Sequence, residues 1–270
     1  MGREGEGRTA LVTGASAGIG QAFAELLAGR GYGLVLTARR VDRLEDLAAA
    51  LRQRHRVPVH VIAADLADPS APAAIIADLQ GRALQVDLLV NNAGYGLPGR
   101  FDRPAWAEHE RFLRVMVGAV CELTYRLLPG MIERRWGRII NVASLAGHLP
   151  APAGHTLYAA TKSFLIRFSE ALHAERAREG VHTTALCPGF TYSEFHDVTG
   201  TRAQVSRMPG VLWMEAPAVA AQGYGAVMRG EPVFIPGRVN RGIAWLSRVL
   251  PQGMARTLIA RSGKGFRNTD

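Results

Sequence analysis

Thr13-Gly14-Ala15-Ser16-Ala17-Gly18-Ile19-Gly20 lies between a short apolar run, Thr9 to Thr13, and a segment that puts Phe23, Leu26 and Leu27 on one helical face. Glycines at such a strand-to-helix turn have separate uses. Gly14 allows a tight turn, Gly18 lets backbone approach a pyrophosphate, and Gly20 permits close helix–strand packing. Backbone N–H groups at the start of the helix then receive phosphate charge. Ser16 and Ile19 fall inside the loop and join the glycines as candidate contacts. A ligand-free glycine turn has the same local pattern.

Outward from this loop, strands and helices alternate. Leu34 to Ala38 reads as a second strand, followed by a helix with Leu44, Leu47, Ala48 and Leu51 on its inner face. Val57 to Ala63 and Val86 to Val90 read as the third and fourth strands. A long helix follows over roughly Ala105 to Glu133, kinked near Gly118. Arg138 to Val142 is the fifth strand, and a helix from about Leu157 to Arg178 buries Phe164, Leu165, Phe168 and Leu172. Val181 to Cys187 is the sixth, ended by Pro188-Gly189. A helix near Pro217 to Met228 leads to a short strand at Val233 to Ile235. The pattern predicts an α/β fold, a single-domain Rossmann-type doubly wound parallel sheet with helices on both faces. Residues 9–270 form that domain, with a substrate loop at about 190–215 and a C-terminal extension at about 238–270. Residues 1–8 read as a disordered lead-in.

The chain has 270 residues, 48% hydrophobic and 20% charged, which suits a soluble enzyme with a sizeable core. No stretch approaches the ~20 uninterrupted apolar residues of a membrane span, and the N-terminus lacks the apolar core of a secretory signal. Two cysteines without framework or metal spacing point to a reduced, cytoplasmic compartment. The histidines are scattered, so no metal site is expected. A net charge of +9 raises nucleic-acid binding. The arginines are dispersed and no nucleic-acid motif is present, so that partner is not expected.

Four signatures stand in order: the GxxxGxG loop, Asn91-Asn92-Ala93-Gly94, Tyr158-Ala159-Ala160-Thr161-Lys162 and Pro188-Gly189. Together they resemble the classical short-chain dehydrogenase/reductase (SDR) family over Thr9 to about Phe195. Ala216-Pro217-Ala218-Val219-Ala220 and Ile235-Pro236-Gly237 extend a looser resemblance to a bacterial carbonyl-reductase-like subgroup. The resemblance implies that Asp65 lies at the adenine and that Asn91 lines the cofactor channel, with Ala93, Gly94, Pro188 and Gly189 beside it; Asp65 and Asn91 also suit turn capping. It implies that Ser193 hydrogen-bonds the nicotinamide carboxamide. The second strand separates the cofactors. An NAD enzyme usually ends it with an acid for the ribose 2′-hydroxyl. Here Ala38 is followed by Arg39 and Arg40, and a guanidinium grips a 2′-phosphate by paired hydrogen bonds. NADP(H) is the expected cofactor.

Tyr158 and Lys162, four apart on a helix, project from one face. An ammonium ~6 Å away at an effective dielectric of ~20 would stabilise tyrosinate by roughly 3 kcal/mol, bringing tyrosine within reach as a proton donor. By resemblance Ser144 polarises the substrate oxygen, and Lys162 also reaches the nicotinamide ribose. Ser144 lies fourteen positions before Tyr158, one more than is common in the family, so a small insertion around Gly154-His155 is expected. The family usually has an asparagine in the long helix that holds a water behind the lysine. Alignment puts Met116 there, which donates no hydrogen bond.

Tyr95, Leu149, His155, Phe190, Phe195 and Trp213 are candidate substrate-pocket residues, and with Met208 and Met214 they favour an apolar carbonyl or alcohol. Near the C-terminus Ile243, Leu246, Val249 and Leu250 alternate with Arg241 and Arg248. Such a segment can sit on an anionic membrane. Docking on its own domain or a sister subunit is favoured, because the stripe is short and proline-interrupted. The helices near 105–133 and 157–178 resemble the family's subunit interface, so a homodimer or homotetramer is expected. The expected activity is an NADP(H)-dependent carbonyl–alcohol interconversion with Tyr158 as proton donor. The rival is a dinucleotide-binding regulator with little turnover, motivated by Met116.

Overall fold

β1 (Thr9–Thr13) is an interior strand of a seven-stranded sheet in which every pair is parallel. Its neighbours are β2 (Gly33–Ala38) and β4 (Leu88–Asn91), and the full order is β3-β2-β1-β4-β5-β6-β9. The computed structural model describes residues 3–97, 99–151, 153–154, 156–194, 209–251, 253–254 and 257. Strands β3 (Val59–Ala63), β5 (Gly137–Val142), β6 (Val181–Leu186) and β9 (Val233–Phe234) complete the sheet. β7 (Phe190–Tyr192) and β8 (Trp213–Glu215) form a separate two-stranded parallel sheet.

Helices cover both faces, as parallel strands require. Alternate strand residues divide between them. Ala10, Val12, Leu34 and Leu36 pack on Phe23 and Leu27 of α1 (Gly18–Gly29), Leu44 of α2 (Val41–His55), and Val219 and Tyr224 of α7 (Ala216–Met228). Leu11, Val35, Leu89 and Ile139 pack on Ile75 of α3 (Ala71–Gly81), Leu123 of α5 (Ala119–Glu133) and Leu172 of α6 (Thr156–Arg176). Each such side chain contributes ~2 kcal/mol by leaving water. Tyr32 and Tyr224, both fully buried, share a hydrogen bond of 3.1 Å that ties β2 to α7.

Several boundaries shift from expectation. β3 starts at Val59, because the preceding Pro58 lacks an N–H for the ladder. The long helix is α4 (Trp106–Leu113) and α5 joined by a π turn, Arg114–Gly118, at the expected kink. By length and composition Trp106–Glu133 could cross a membrane, but Val115, Ala119, Leu123 and Met131 belong to the core. Helix α3 was not foreseen; its Pro72 at the helix start and its Ile75 and Leu79 were the available signals. Residues 3–8, part of the expected disordered lead-in, are tied to the domain around buried Gly5. Gly5 donates to the Arg30 carbonyl at 2.9 Å, and Glu4 pairs with Arg30 at 2.6 Å. A side chain on Gly5 would strike the Tyr32 ring, so glycine is what lets the segment lie down there.

Candidate active site

The site forms at the carboxyl ends of β1, β4, β5 and β6, where chain order reverses across the sheet between β1 and β4. The glycine loop is held by a clamp that was not anticipated. Thr13 Oγ1 accepts the N–H groups of Asn92 (2.9 Å) and Ala93 (3.0 Å), and Asn92 Nδ2 donates to the Thr13 and Gly14 carbonyls. Gly14 has φ +66°, and a Cβ there would lie 2.8 Å from the Ala93 Cα. A Cβ on Gly20 would lie 2.3 Å from the Gly14 carbonyl oxygen. Gly18 opens toward Ser193, whose Cβ would be 2.9 Å from an added side chain. The backbone at Gly18 is bare at the helix start, as a turn that receives a pyrophosphate requires.

Arg40 turns toward the loop and donates to Ser16 Oγ at 3.1 Å. Its other arm meets Glu194 at 2.8 Å, and Arg43 meets the same carboxylate at 2.6 Å. Hydrogen bonds from both arginines hold the Glu194 carboxyl below its usual range. Arg43 was not a candidate from sequence; its position three residues after Arg40, at the start of α2, was the signal. Arg39 is exposed and acts electrostatically on Tyr95. Asp65 pairs with Arg111 at 3.1 Å and accepts the Ala67 N–H at 3.0 Å, the turn-capping alternative.

Asn91 turns inward. Its amide donates to Asn141 Oδ1 (2.9 Å) and Thr124 Oγ1 (3.2 Å), and Asn141 continues to Ser169 Oγ (2.9 Å). The amide nitrogen thus points beneath the site, as a buried donor needs polar partners, and Asn91 Oδ1 accepts no hydrogen bond among the described residues.

Ser144 follows β5 in a loop fixed from two sides. The Leu145 N–H reaches the Pro188 carbonyl at 2.8 Å, and Ser163 of α6 donates to the Gly147 carbonyl at 2.6 Å. Ser144 Oγ accepts the Ala146 N–H at 3.1 Å and shares a hydrogen bond with the Tyr158 hydroxyl. Lys162 Nζ stands 5.6 Å from the centre of the Tyr158 ring and donates to the Val142 carbonyl at 2.7 Å. The three expected residues thus meet. Their electrostatics differ from expectation. Burial raises the Tyr158 phenol above its ordinary value, with the Ser144 hydrogen bond opposing. Burial lowers Lys162 to about 8. The loss of hydration outweighs the attraction estimated from distance alone. Buried Cys187, beside the lysine, is pushed up to about 12 and is a neutral thiol.

Met116 lies in the π turn, 1% exposed, with its sulfur against Gly94. It fills space and offers no amide; Lys162 finds its polar partner in β5 instead. Of the candidate pocket residues, the Trp213 ring lies 5.4 Å from Phe190 and 4.7 Å from Tyr192, and Tyr95 meets Phe112 edge-on at 5.4 Å. Leu149 ends the Ser144 loop, half-buried. His155, Phe195 and Met208 lie outside the described residues.

A family model described as short chain dehydrogenase matches residues 8–203. The chain belongs to the short-chain dehydrogenase family. This dehydrogenase is 36% identical over 249 residues to Nodulation protein G of Rhizobium sp. (strain N33), covering 89% of this chain and 98% of that one. It is 37% identical over 190 residues to the very-long-chain 3-oxoacyl-CoA reductase of Homo sapiens, covering 69% of this chain and 60% of the relative. A solved short-chain dehydrogenase from Sphingobium yanoikuyae, in complex with NADPH, superposes with a TM-score of 0.80 at 32% identity, covering 94% of this chain and 95% of that one. These likenesses make the chain an oxidoreductase, and its Ser144, Tyr158 and Lys162 form one constellation.

Proposed function

We propose that this dehydrogenase uses NADP(H) to interconvert a carbonyl and an alcohol on a mainly apolar substrate. The observation that carries the reading is the hydrogen-bonded Ser144–Tyr158 pair beside a buried Lys162, one loop away from the glycine turn. Bound reduced nicotinamide would supply a hydride to the carbonyl carbon. The protein's own residues handle the oxygen. Ser144 donates a hydrogen bond to it, and Tyr158, protonated at neutral pH because burial raises it, delivers the proton. Lys162 is an ammonium below pH about 8 and stabilises the tyrosinate left behind.

The preference for a 2′-phosphate is supported by Ala38 at the end of β2 and by two guanidiniums already gripping one carboxylate. The Phe190, Tyr192 and Trp213 rings support an apolar substrate. Exposed Trp106, Tyr125 and Phe164 on α4, α5 and α6 support association into a homo-oligomer through those helices. The test is to titrate NADPH and NADH and then follow NADPH oxidation across a panel of apolar ketones and aldehydes. Tight NADPH binding and turnover that Tyr158→Phe lowers by ~10³-fold are expected. Binding without oxidation of any carbonyl, unchanged in Tyr158→Phe, would point to a non-catalytic binder.

A further inference from the structure

Helix α8 (Arg238–Val249) does not lay its apolar stripe on its own domain, one of the two docking modes expected of its sequence. Only Asn240 and Ala244 are buried, and they anchor it to the domain. Asn240 Nδ2 donates to the Pro236 carbonyl at 2.9 Å, and its side chain packs on Gly189. Ser247 and Arg248 reach His148 at the end of the Ser144 loop. The apolar residues face outward: Val239, Trp245, Leu246 and Val249 are 41%, 65%, 45% and 54% exposed. At 100° per residue these four span a sector of about 120°, with Arg238 within it at the first turn and Arg241 and Arg248 side by side along one edge.

Charge says what covers that sector. α8 itself carries three arginines, Arg238, Arg241 and Arg248, and no acid. A twofold contact between two copies of α8 would set its arginines against each other, which like charges oppose. An anionic surface with an apolar interior accepts both features at once, the guanidiniums at phosphates and the tryptophan at the headgroup level.

We infer that α8 docks this protein on an anionic phospholipid surface, with Trp245, Leu246 and Val249 entering the headgroup layer. Docked in this way, the helix that backs the Ser144 loop and the Pro188-Gly189 turn lies against lipid, and an apolar substrate reaches the site from the bilayer side.

Co-sedimentation of the full chain with phosphatidylglycerol/phosphatidylcholine vesicles, against phosphatidylcholine alone, tests this without any turnover. Binding to the anionic vesicles only is expected, weakening as salt rises. Arg238→Gln with Arg241→Gln should lower partitioning by more than tenfold. Trp245→Ser, at an exposed position that leaves the fold intact by circular dichroism, should lower it by a similar factor. No sedimentation with anionic vesicles would overturn the inference. So would binding that salt abolishes but Trp245→Ser leaves unchanged, since that is general attraction of a basic chain. If Trp245→Ser instead reduced the mass found by sedimentation velocity and spared vesicle binding, the occupant would be a second copy.

Discussion

The two halves of the active site are built on different terms. On the cofactor side, the glycine turn is held by the neutral Thr13 and Asn92 side chains, which satisfy backbone carbonyls and N–H groups at 2.9–3.2 Å with no buried charge. On the catalytic side, a phenol and an ammonium are buried beside a neutral thiol, each far from its preferred hydration. The first half is stable because of its function and the second in spite of it. Substitutions should therefore move stability in opposite directions in the two halves.

The largest effect on stability is expected at Lys162. Lys162→Met should cut reduction ~10²-fold or more by removing the charge that supports the tyrosinate. In the cofactor-free protein the same change should raise stability at pH 7 by ~1–3 kcal/mol, read by urea unfolding. The folded pKa of about 8 lies below the ordinary 10.5, so the folded state sheds its proton first. Stability of the parent protein should accordingly be flat below pH about 8 and rise toward about 10.5, and Lys162→Met should lack that rise. A destabilised Met variant would break the contrast. In the other half, Gly14→Ala should lose ~2 kcal/mol of stability together with dinucleotide affinity, because φ +66° and the Ala93 backbone both oppose a Cβ. An unchanged melting temperature there would show that the clamp yields.

Much of this division was legible in the chain. Glycines at fixed spacing, the Asn91-Asn92-Ala93-Gly94 run and the Tyr158/Lys162 pair are local patterns, and local patterns survive folding. The fold class followed from alternation of apolar strands with helical faces. What was hidden depends on partners distant in sequence. Asn91 and Asn141 find each other across 50 positions, and Glu194 meets Arg43 across 151. Burial, which reverses the expected lowering of the Tyr158 pKa, is likewise a property of the packed whole. Helix α3 escaped because its alanine-rich stretch has only a weak apolar stripe.

Two smaller effects sharpen the comparison. Met116→Asn should keep or raise turnover while lowering stability by ~1–3 kcal/mol, since an amide would replace a well-packed thioether in the core. Complete inactivation in a reductase assay would count against Met116 as the counterpart of the family's asparagine. Glu194→Gln should tighten NADPH binding about two- to fivefold, because exposed ion pairs of this kind are each worth ~0.2–1 kcal/mol and the 2′-phosphate would no longer compete with a carboxylate. NADH binding should not change, and equal tightening of both would exclude a 2′-phosphate role for Arg40 and Arg43.

The π turn at Arg114–Gly118 is in effect a one-residue insertion that the helix absorbs without breaking. What it alters is phase. Everything after it is rotated by about 100° from where an uninterrupted α-helix would carry it. Leu123 and Thr124 meet the sheet and Tyr125 meets solvent because of that offset. Deleting one residue within the turn would leave the helix as apolar and nearly as long, yet present the wrong side to the core.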